Sequence, residues 1–457
     1  MTSETGTKVG SSKRPGVFWF QARKGKAMKR WRNYIIGICS IAVAGLVGAA
    51  AFFFWPHSLP QVQASKSQPT GSELIARGEY LTVAADCAAC HTTKSGKPFA
   101  GGLAFKLPFG TIYSPNITPD KTAGIGDWTD AEFVRAMRSG VGKHGEDLYP
   151  AFPYSSYALL STDDILAIKA YLMTLASVAD PAPENSLAFP FNQRPLMRGW
   201  KFLFVPWGPF QPDPGKDKQW NDGAYLVEAL AHCGECHTPR GLMFQRKQGV
   251  ALSGGDVDGW KAWNITSDKD YGLGNWSDEQ IADMLTAGHA KDRGVAAGPM
   301  REAIDLSLSK LPKSDIDAIV AYLRTVPAVS GDADHKAARR KEEELTAGST
   351  PTSASLQAGK DIYAGACASC HGWNGEGQFN PHAAILGGHA LADPTASNVV
   401  RVVLQGSSDH ASAPGKTMPS FAKTYTDAEI AALANYVVEH FSGRKGTVTA
   451  EQVSEAR

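Results

Sequence analysis

Three copies of one short motif carry most of the chemistry that this sequence can offer. In each copy two cysteines stand three positions apart and a histidine follows directly. The copies are Cys87-Ala-Ala-Cys90-His91, Cys233-Gly-Glu-Cys236-His237 and Cys367-Ala-Ser-Cys370-His371. This motif is typical of c-type haem attachment, in which two thiols add across the haem vinyl groups as thioethers. The adjacent histidine is then placed to bind the iron as its proximal ligand.

A single copy would also be compatible with a redox pair or with half of a zinc site. The chain has seven cysteines, six of which fall in the three motifs, while Cys39 stands alone in an apolar run. Because each pair is followed at once by histidine, the sequence predicts three covalently bound haem c groups. We expect Cys39 to be a packing or lipid-facing residue.

Haem iron usually takes a second axial ligand, and methionine is the common choice, which raises the reduction potential. Met418 lies in a Met-Pro-Ser-Phe segment before the last helical stretch, and Met300 occupies the corresponding part of the middle region. The alternative for each is a methionine that only packs in the core. We expect Met300 and Met418 to be iron ligands.

The first motif lacks an equivalent methionine. The corresponding stretch, Tyr149–Tyr154, contains Phe152, whose side chain cannot bind iron. Met137 and Met173 lie in predicted helices and are weak candidates. His144, in the preceding loop, is the candidate sixth ligand; a residue from a partner protein and an open coordination site are the alternatives.

The N-terminal region indicates the compartment of these motifs. Residues 35–55 form an uncharged apolar run, long enough to cross the roughly 30 Å hydrocarbon core as a helix. Basic residues cluster in the preceding segment, 1–34, which should therefore stay cytoplasmic. We expect an uncleaved inner-membrane anchor with everything after it in the periplasm. A cleaved signal peptide is the alternative, but this apolar run and its leading segment are both long for one.

Three helical units follow the anchor, and no stretch shows the alternating pattern of a strand, so the predicted fold class is mainly α. The units span residues 72–180, 218–330 and 353–444, and each opens with a short helix that runs into the haem motif. Between them, residues 181–217 are rich in proline and aromatic residues and should pack across units or against a partner. Residues 331–352 are charged and predict a solvated spacer.

The first two units repeat each other. Asn116–Thr118 matches Asn264–Thr266, and after each match a Gly-x-Trp segment leads to Thr129 or Ser277, a good helix N-cap. The repeat distance is 148 residues (264 − 116), which indicates a domain duplication rather than a solenoid.

Over residues 72–444 the chain resembles the three-haem cytochrome c subunits of membrane-bound periplasmic dehydrogenases, such as the alcohol, aldehyde and polyol dehydrogenases of acetic acid bacteria. The three motifs, Ser114–Asp120, Leu148–Tyr154 and Met418-Pro419 carry the resemblance. It implies three tandem class I cytochrome c domains after an N-terminal transmembrane helix.

The resemblance also implies partners. A large dehydrogenase subunit with a molybdopterin, pyrroloquinoline quinone (PQQ) or flavin cofactor oxidises the substrate, in some complexes with a small third subunit. The cytochrome subunit, which has no substrate-oxidising residues of its own, passes the electrons to ubiquinone. Phe152, and a polar tail where many relatives have a C-terminal membrane segment, depart from the alcohol dehydrogenase pattern. These departures are compatible with a molybdopterin-containing aldehyde dehydrogenase as the partner.

Two other functions are compatible with the haem motifs. A haem c subunit of a terminal oxidase would exchange electrons with an oxidase core. A haem peroxidase would need an open iron and a distal acid-base residue, for which only His144 is a candidate. The net charge of +1 gives no bias toward nucleic acid, and no phosphate-binding loop or hydrolytic triad is present.

Overall fold

The structure is a computed structural model that describes residues 1–7, 10, 17–330, 353–407 and 418–457, with the backbone alone described for 17–27. The predicted spacer, 331–352, therefore lies outside the described residues. The chain divides into two compact units, Met1–His57 and Ser58–Arg457.

The first unit contains one long helix, α1 (Val17–Phe54). Its segment Met28–Phe54 has 27 residues with a mean hydropathy of 2.4, and none of its most apolar stretch is buried. By length and composition this segment is a candidate membrane span, which agrees with the predicted anchor. The helix begins well before residue 35, because lysine and arginine are good helix formers and do not interrupt it.

The second unit contains three sets of helices, which we call modules 1, 2 and 3. In each module a leading helix runs toward the haem motif, the motif itself forms a short helix, and a closing helix crosses the leading one. In module 1 these helices are α2 (Gly71–Ala84), α3 (Cys87–His91) and α6 (Thr162–Leu172). In module 2 they are α8 (Lys218–Tyr225), α9 (Gly234–His237) and α12 (Lys313–Leu323). In module 3 they are α13 (Ser353–Ile362), α14 (Ala368–His371) and α17 (Asp427–Ser442). The leading helices of modules 2 and 3 continue as π-helical turns, Leu226–Leu230 and Tyr363–Cys367.

Between these helices lie shorter elements. Among the described residues, the remaining α-helices are α4 (Asp130–Ser139), α5 (Tyr154–Tyr157), α7 (Leu196–Phe204), α10 (Asp278–Ala287), α11 (Gly298–Leu306), α15 (His389–Ala392), α16 (Ser397–Gln405) and α18 (Ala450–Ala456). The strands are β1 (Ala104–Leu107), β2 (Gly110–Tyr113), β3 (Ser186–Leu187), β4 (Gly255–Val257), β5 (Trp260–Ala262), β6 (His289–Ala290) and β7 (Gly294–Val295). They form antiparallel pairs in the orders β1-β2-β3, β4-β5 and β6-β7. The short hairpins add to a fold that is otherwise helical, as predicted.

A glycine allows the leading and closing helices of each module to cross in close contact. A side chain on Gly78, Gly223 or Gly359 would overlap the backbone oxygen of Ala167, Ala318 or Ala432, respectively. In each crossing the second residue that this side chain would meet is the tyrosine near the end of the closing helix, through its Cβ atom. These are Tyr171, Tyr322 and Tyr436. The three modules therefore share one helix-crossing geometry, with a tyrosine at the same place in each crossing.

Helices α4 and α10 begin as the repeat predicts. Thr129 and Ser277 both cap their helices in complete capping boxes, with Glu132 and Gln280 as the reciprocal partners. Both helices end at a left-handed glycine, a conformation that glycine adopts without steric cost. The duplication thus extends from sequence to local structure.

Residues 181–217 pack across modules 1 and 2, as predicted. Arg194 donates to the backbone oxygen of Asp147 at 3.0 Å in module 1, and Trp200 Nε1 donates to the backbone oxygen of Met243 at 2.7 Å in module 2. Modules 1 and 2 share one hydrophobic core, and module 3 has a second core. The chain stays in that second core beyond residue 444, because α18 packs against α17 and buries Val453 completely.

Candidate haem sites

The three motif histidines have the same hydrogen-bond arrangement. Nδ1 lies 2.8 Å from the backbone oxygen of Pro115 in His91, 2.6 Å from that of Trp263 in His237, and 2.7 Å from that of Ala383 in His371. A carbonyl oxygen can only accept, so Nδ1 carries the proton and Nε2 keeps its lone pair for a metal. Burial lowers the pKa of all three rings, which favours the neutral form that binds iron.

The Asn-Ile-Thr repeat explains how two of these carbonyl groups are held in position. The Asn116 side chain accepts from the Thr118 N–H at 2.9 Å and donates to the backbone oxygen of Val178 at 2.7 Å. Asn264 makes the equivalent bonds in module 2, to Thr266 at 2.8 Å and Val329 at 2.8 Å. Each asparagine thereby fixes the backbone directly after the carbonyl group that accepts from the histidine.

The motif cysteines are free thiols in suitable positions for covalent attachment. None of the six forms a disulfide. Burial raises the pKa of the Cys87, Cys90 and Cys233 thiols to about 12 and that of Cys236 and Cys367 to about 11. In the described part of the chain, no three His, Cys, Asp or Glu residues stand together to hold a metal ion. The described residues therefore provide no zinc cluster.

All three motifs line the wall of one cavity of about 2490 Å³. Every motif cysteine and histidine lines it, and the residues around them are largely apolar. Covalent anchoring thiols, a histidine with a free Nε2 and a large apolar space are what a c-type haem requires. The residues present therefore fit this group at all three motifs.

Met300 and Met418 both lie in the wall of this cavity. Met300 is on the first turn of α11 and packs against the shared core of modules 1 and 2. Met418 packs against the core of module 3, and its N–H donates to the Ser407 hydroxyl at 2.6 Å. The structure thus places both predicted distal ligands in the same cavity as their histidines.

Phe152 takes the place of Met300 in module 1. Phe152 follows Gly140 by 12 residues (152 − 140), and Met300 follows Gly288 by 12 (300 − 288); both glycines end the equivalent helix. The Phe152 ring packs edge-on against Tyr154 and Tyr157, with centroids 6.2 and 5.6 Å apart. Module 1 therefore has an aromatic ring at the position that corresponds to Met300.

The other candidates for this position differ in their surroundings. His144 is exposed but contributes to the cavity wall, and its N–H donates to a Glu146 carboxylate oxygen at 2.9 Å. Met137 is buried in the core and also lines the cavity. Met173 is 37% exposed and is not among the described residues that line the cavity. His144 stays a candidate for the sixth ligand of module 1.

The sites of modules 1 and 2 adjoin each other. Tyr157 of module 1 donates to the backbone oxygen of Ala85 at 3.0 Å and packs edge-on against His232, which directly precedes the second motif. Ser155 donates to Glu235, inside that motif, at 2.7 Å. Burial opposes ionisation of Glu235, but Arg246, Arg240 and these hydrogen bonds together keep its pKa below the ordinary value. The two sites are therefore connected by direct side-chain contacts.

Several residues that shape the sites have only a weak signal in the sequence, or none. Gly78, Gly223 and Gly359 precede the motifs by 8 to 10 residues (87 − 78, 233 − 223, 367 − 359), and this recurrence could have identified them. The Asn-Ile-Thr repeat is visible in the sequence, but its position next to the histidine carbonyl is not. His389, between two tryptophans of another module, depends on how the modules pack.

Comparison with known proteins relates this chain to the cytochrome c family. The sequence model of the cytochrome c family matches residues 75–176 and 356–440. The second motif falls between these two ranges.

Three relatives cover most of this chain. A nicotinate dehydrogenase subunit of Pseudomonas putida is 39% identical over 92% of the chain, which spans only 34% of that longer protein. The fructose dehydrogenase cytochrome subunit of Gluconobacter japonicus is 38% identical, over 87% of this chain and 86% of the relative. The gluconate 2-dehydrogenase cytochrome c subunit of Pantoea cypripedii is 37% identical, over 84% and 89%.

Proposed function

The chain belongs to the family of dehydrogenase cytochrome c subunits, and from that premise we propose a membrane-bound subunit that carries electrons through three c-type haems. The electrons come from a substrate-oxidising large subunit and pass to ubiquinone. The observation that carries the proposal is the repeated histidine geometry. Each ring donates its Nδ1 proton to a carbonyl group and makes no hydrogen bond through Nε2 to any described residue, beside two free thiols in one apolar cavity.

When bound, each haem supplies an iron that accepts and releases one electron. The protein's own residues have three tasks around that group. The six motif cysteines would hold the haems covalently, two to each haem. The backbone carbonyl groups would orient the histidine rings, and the apolar cavity wall would exclude water. Met300 and Met418 would bind the irons of modules 2 and 3 and favour their reduced state.

His144 is the candidate for the sixth position of module 1, with a residue from a partner protein and an open site as the alternatives. Its loop is held close to the module, since Arg135 donates to the backbone oxygen of Lys143 at 3.0 Å. If His144 is not a ligand, His144→Ala should leave the spectrum of the first haem unchanged.

The predicted arrangement in the cell follows from α1. Its apolar segment would anchor the chain in the inner membrane, with the modules in the periplasm, where haem is attached. The large subunit could carry a molybdopterin, PQQ or flavin cofactor, and a small third subunit could complete the complex.

Purification from native membranes in mild detergent tests this function, because the natural partner must be present. We expect a large dehydrogenase subunit to co-purify with the chain and substrate oxidation to reduce its haems. The cofactor of that subunit would also define the substrate class. Co-purification with an oxidase core instead, or peroxidase activity of the chain alone, would contradict the proposal.

A further inference from the structure

The hairpin β4–β5 of module 2 is fastened to module 3. The Asn398 side chain accepts from the Lys261 N–H at 2.8 Å and donates to the Lys261 backbone oxygen at 2.9 Å, as a neighbouring strand would. Lys261 Nζ also forms an ion pair with Asp393 at 3.0 Å, and Arg401 donates to the backbone oxygen of Gly259 at 2.6 Å. The segment that leads into Trp263 is therefore held by module 3.

At the same interface, His389 of module 3 stacks against two tryptophans of module 2. Its ring centroid lies 5.8 Å from that of Trp263, with an interplanar angle of 23°, and 5.8 Å from that of Trp276, with an angle of 9°. The guanidinium of Arg293 lies 5.2 Å from the Trp276 ring centroid. Burial and Arg293 lower the pKa of His389, which favours the neutral ring.

Trp263 connects this stack to a haem ligand. Its backbone oxygen accepts the Nδ1 proton of His237 at 2.6 Å. In module 1 the equivalent acceptor is Pro115, 148 residues earlier (263 − 115), whose rigid ring limits backbone motion. Trp263 lacks a proline ring. Besides the Asn264 bonds that fix the backbone after it, its side chain stacks against a ring from the next module.

We propose that His389 is a positioning residue for the haem of module 2: by stacking on Trp263 it holds the carbonyl group that orients His237. This inference rests on the proposed function, since it requires haem at the second motif. A well-placed carbonyl acceptor makes the imidazole a stronger donor to iron and favours the oxidised state. Module 3 would thereby adjust the potential of the haem in module 2.

The test is a redox titration of the purified complex with His389→Ala. Met300→Ala first identifies which component of the titration belongs to module 2. With the stack removed, the carbonyl is held less firmly, and we expect the reduction equilibrium of that component to move toward the reduced state by about threefold or more. That shift corresponds to about 30 mV upward, at ~59 mV per tenfold for one electron.

Two further variants separate positioning from general packing. His389→Phe keeps an aromatic ring and should restore the wild-type potential. His440→Ala is the matched control, because His440 is exposed and stacks on Tyr436 inside module 3; it should leave the module 2 potential unchanged. If His389→Ala does not accumulate, His389→Gln, which is polar but not aromatic, takes its place and should show the same shift.

The outcomes distinguish this inference from the function on which it rests. If the wild-type chain lacks haem at the second motif, the proposed function fails first. If all haems are present and His389→Ala or its Gln substitute leaves the module 2 potential unchanged, only the positioning role is refuted. A phenylalanine variant that behaves like the alanine variant would also refute it, because stacking would then not be the cause.

Discussion

Met418→Ala is expected to lower the reduction potential of the third haem by about 0.1–0.3 V, within the range that axial ligands set. A thioether ligand favours reduced iron, and alanine cannot replace it. Met300→Ala should have the same effect on the second haem and leave the third unchanged. A redox titration of the complex, followed in the visible haem bands, measures both shifts.

Met243→Ala is the matched control for these variants. Met243 is about half exposed and is not among the described residues that line the cavity. Its contact with Trp200 is made by the backbone oxygen, so the substitution leaves that hydrogen bond in place. If Met418→Ala changes the titration no more than Met243→Ala does, Met418 is a packing residue and the ligand assignment is wrong.

Gly359→Ala is expected to destabilise module 3 by about 1–3 kcal/mol, the usual cost of overpacking. The added Cβ would overlap the backbone oxygen of Ala432 and lie 2.8 Å from the Tyr436 Cβ. The two crossing helices must then move apart. Denaturant unfolding of the haem-loaded protein, followed by the absorbance of the third haem, gives the change in free energy.

Gly365→Ala provides the comparison within the same module. Gly365 is exposed, and a Cβ built there meets nothing within 4 Å. Alanine at that position should be neutral or stabilise the helix by up to about 1 kcal/mol. Equal effects of the two substitutions would show that the close crossing at Gly359 does not contribute to stability.

The haem motifs could be predicted from sequence because their chemistry depends on residues adjacent in the chain. Spacing alone places two thiols and a histidine on one short helical segment, as in Cys87–His91. Caps such as Thr129 and Ser277 were also predictable, since a capping box involves residues only three positions apart. The prediction that Met300 and Met418 bind iron also rests on sequence spacing, since both precede a closing helix at similar distances, and both line the cavity.

Features that depend on the packing of distant segments could not be predicted in this way. The carbonyl group of Trp263 is 26 residues from His237, and any residue type could supply such a backbone oxygen. His389 reaches Trp276 from another module, so neither residue has a local signal. The tail after residue 444 is polar on average, yet capping by Thr449 and burial of Val453 make it part of the core.

The three modules share one helical arrangement, but their candidate haem sites differ. Module 1 has Phe152 where module 2 has Met300, and its histidine carbonyl comes from a proline rather than a tryptophan held by its neighbour. Because axial ligands and their hydrogen-bond partners set haem potentials, we expect the three haems to differ in potential. Such differences would give electron flow through the chain a direction.

Covalent haem at all three motifs is the central claim. The most direct measurement is the intact mass of the denatured chain purified from its native membranes, since thioether-linked haem survives denaturation. We expect a mass increase of three haem groups over the polypeptide, and of two in a Cys233→Ala/Cys236→Ala variant. A native chain that carries fewer than three covalent haems would contradict the claim.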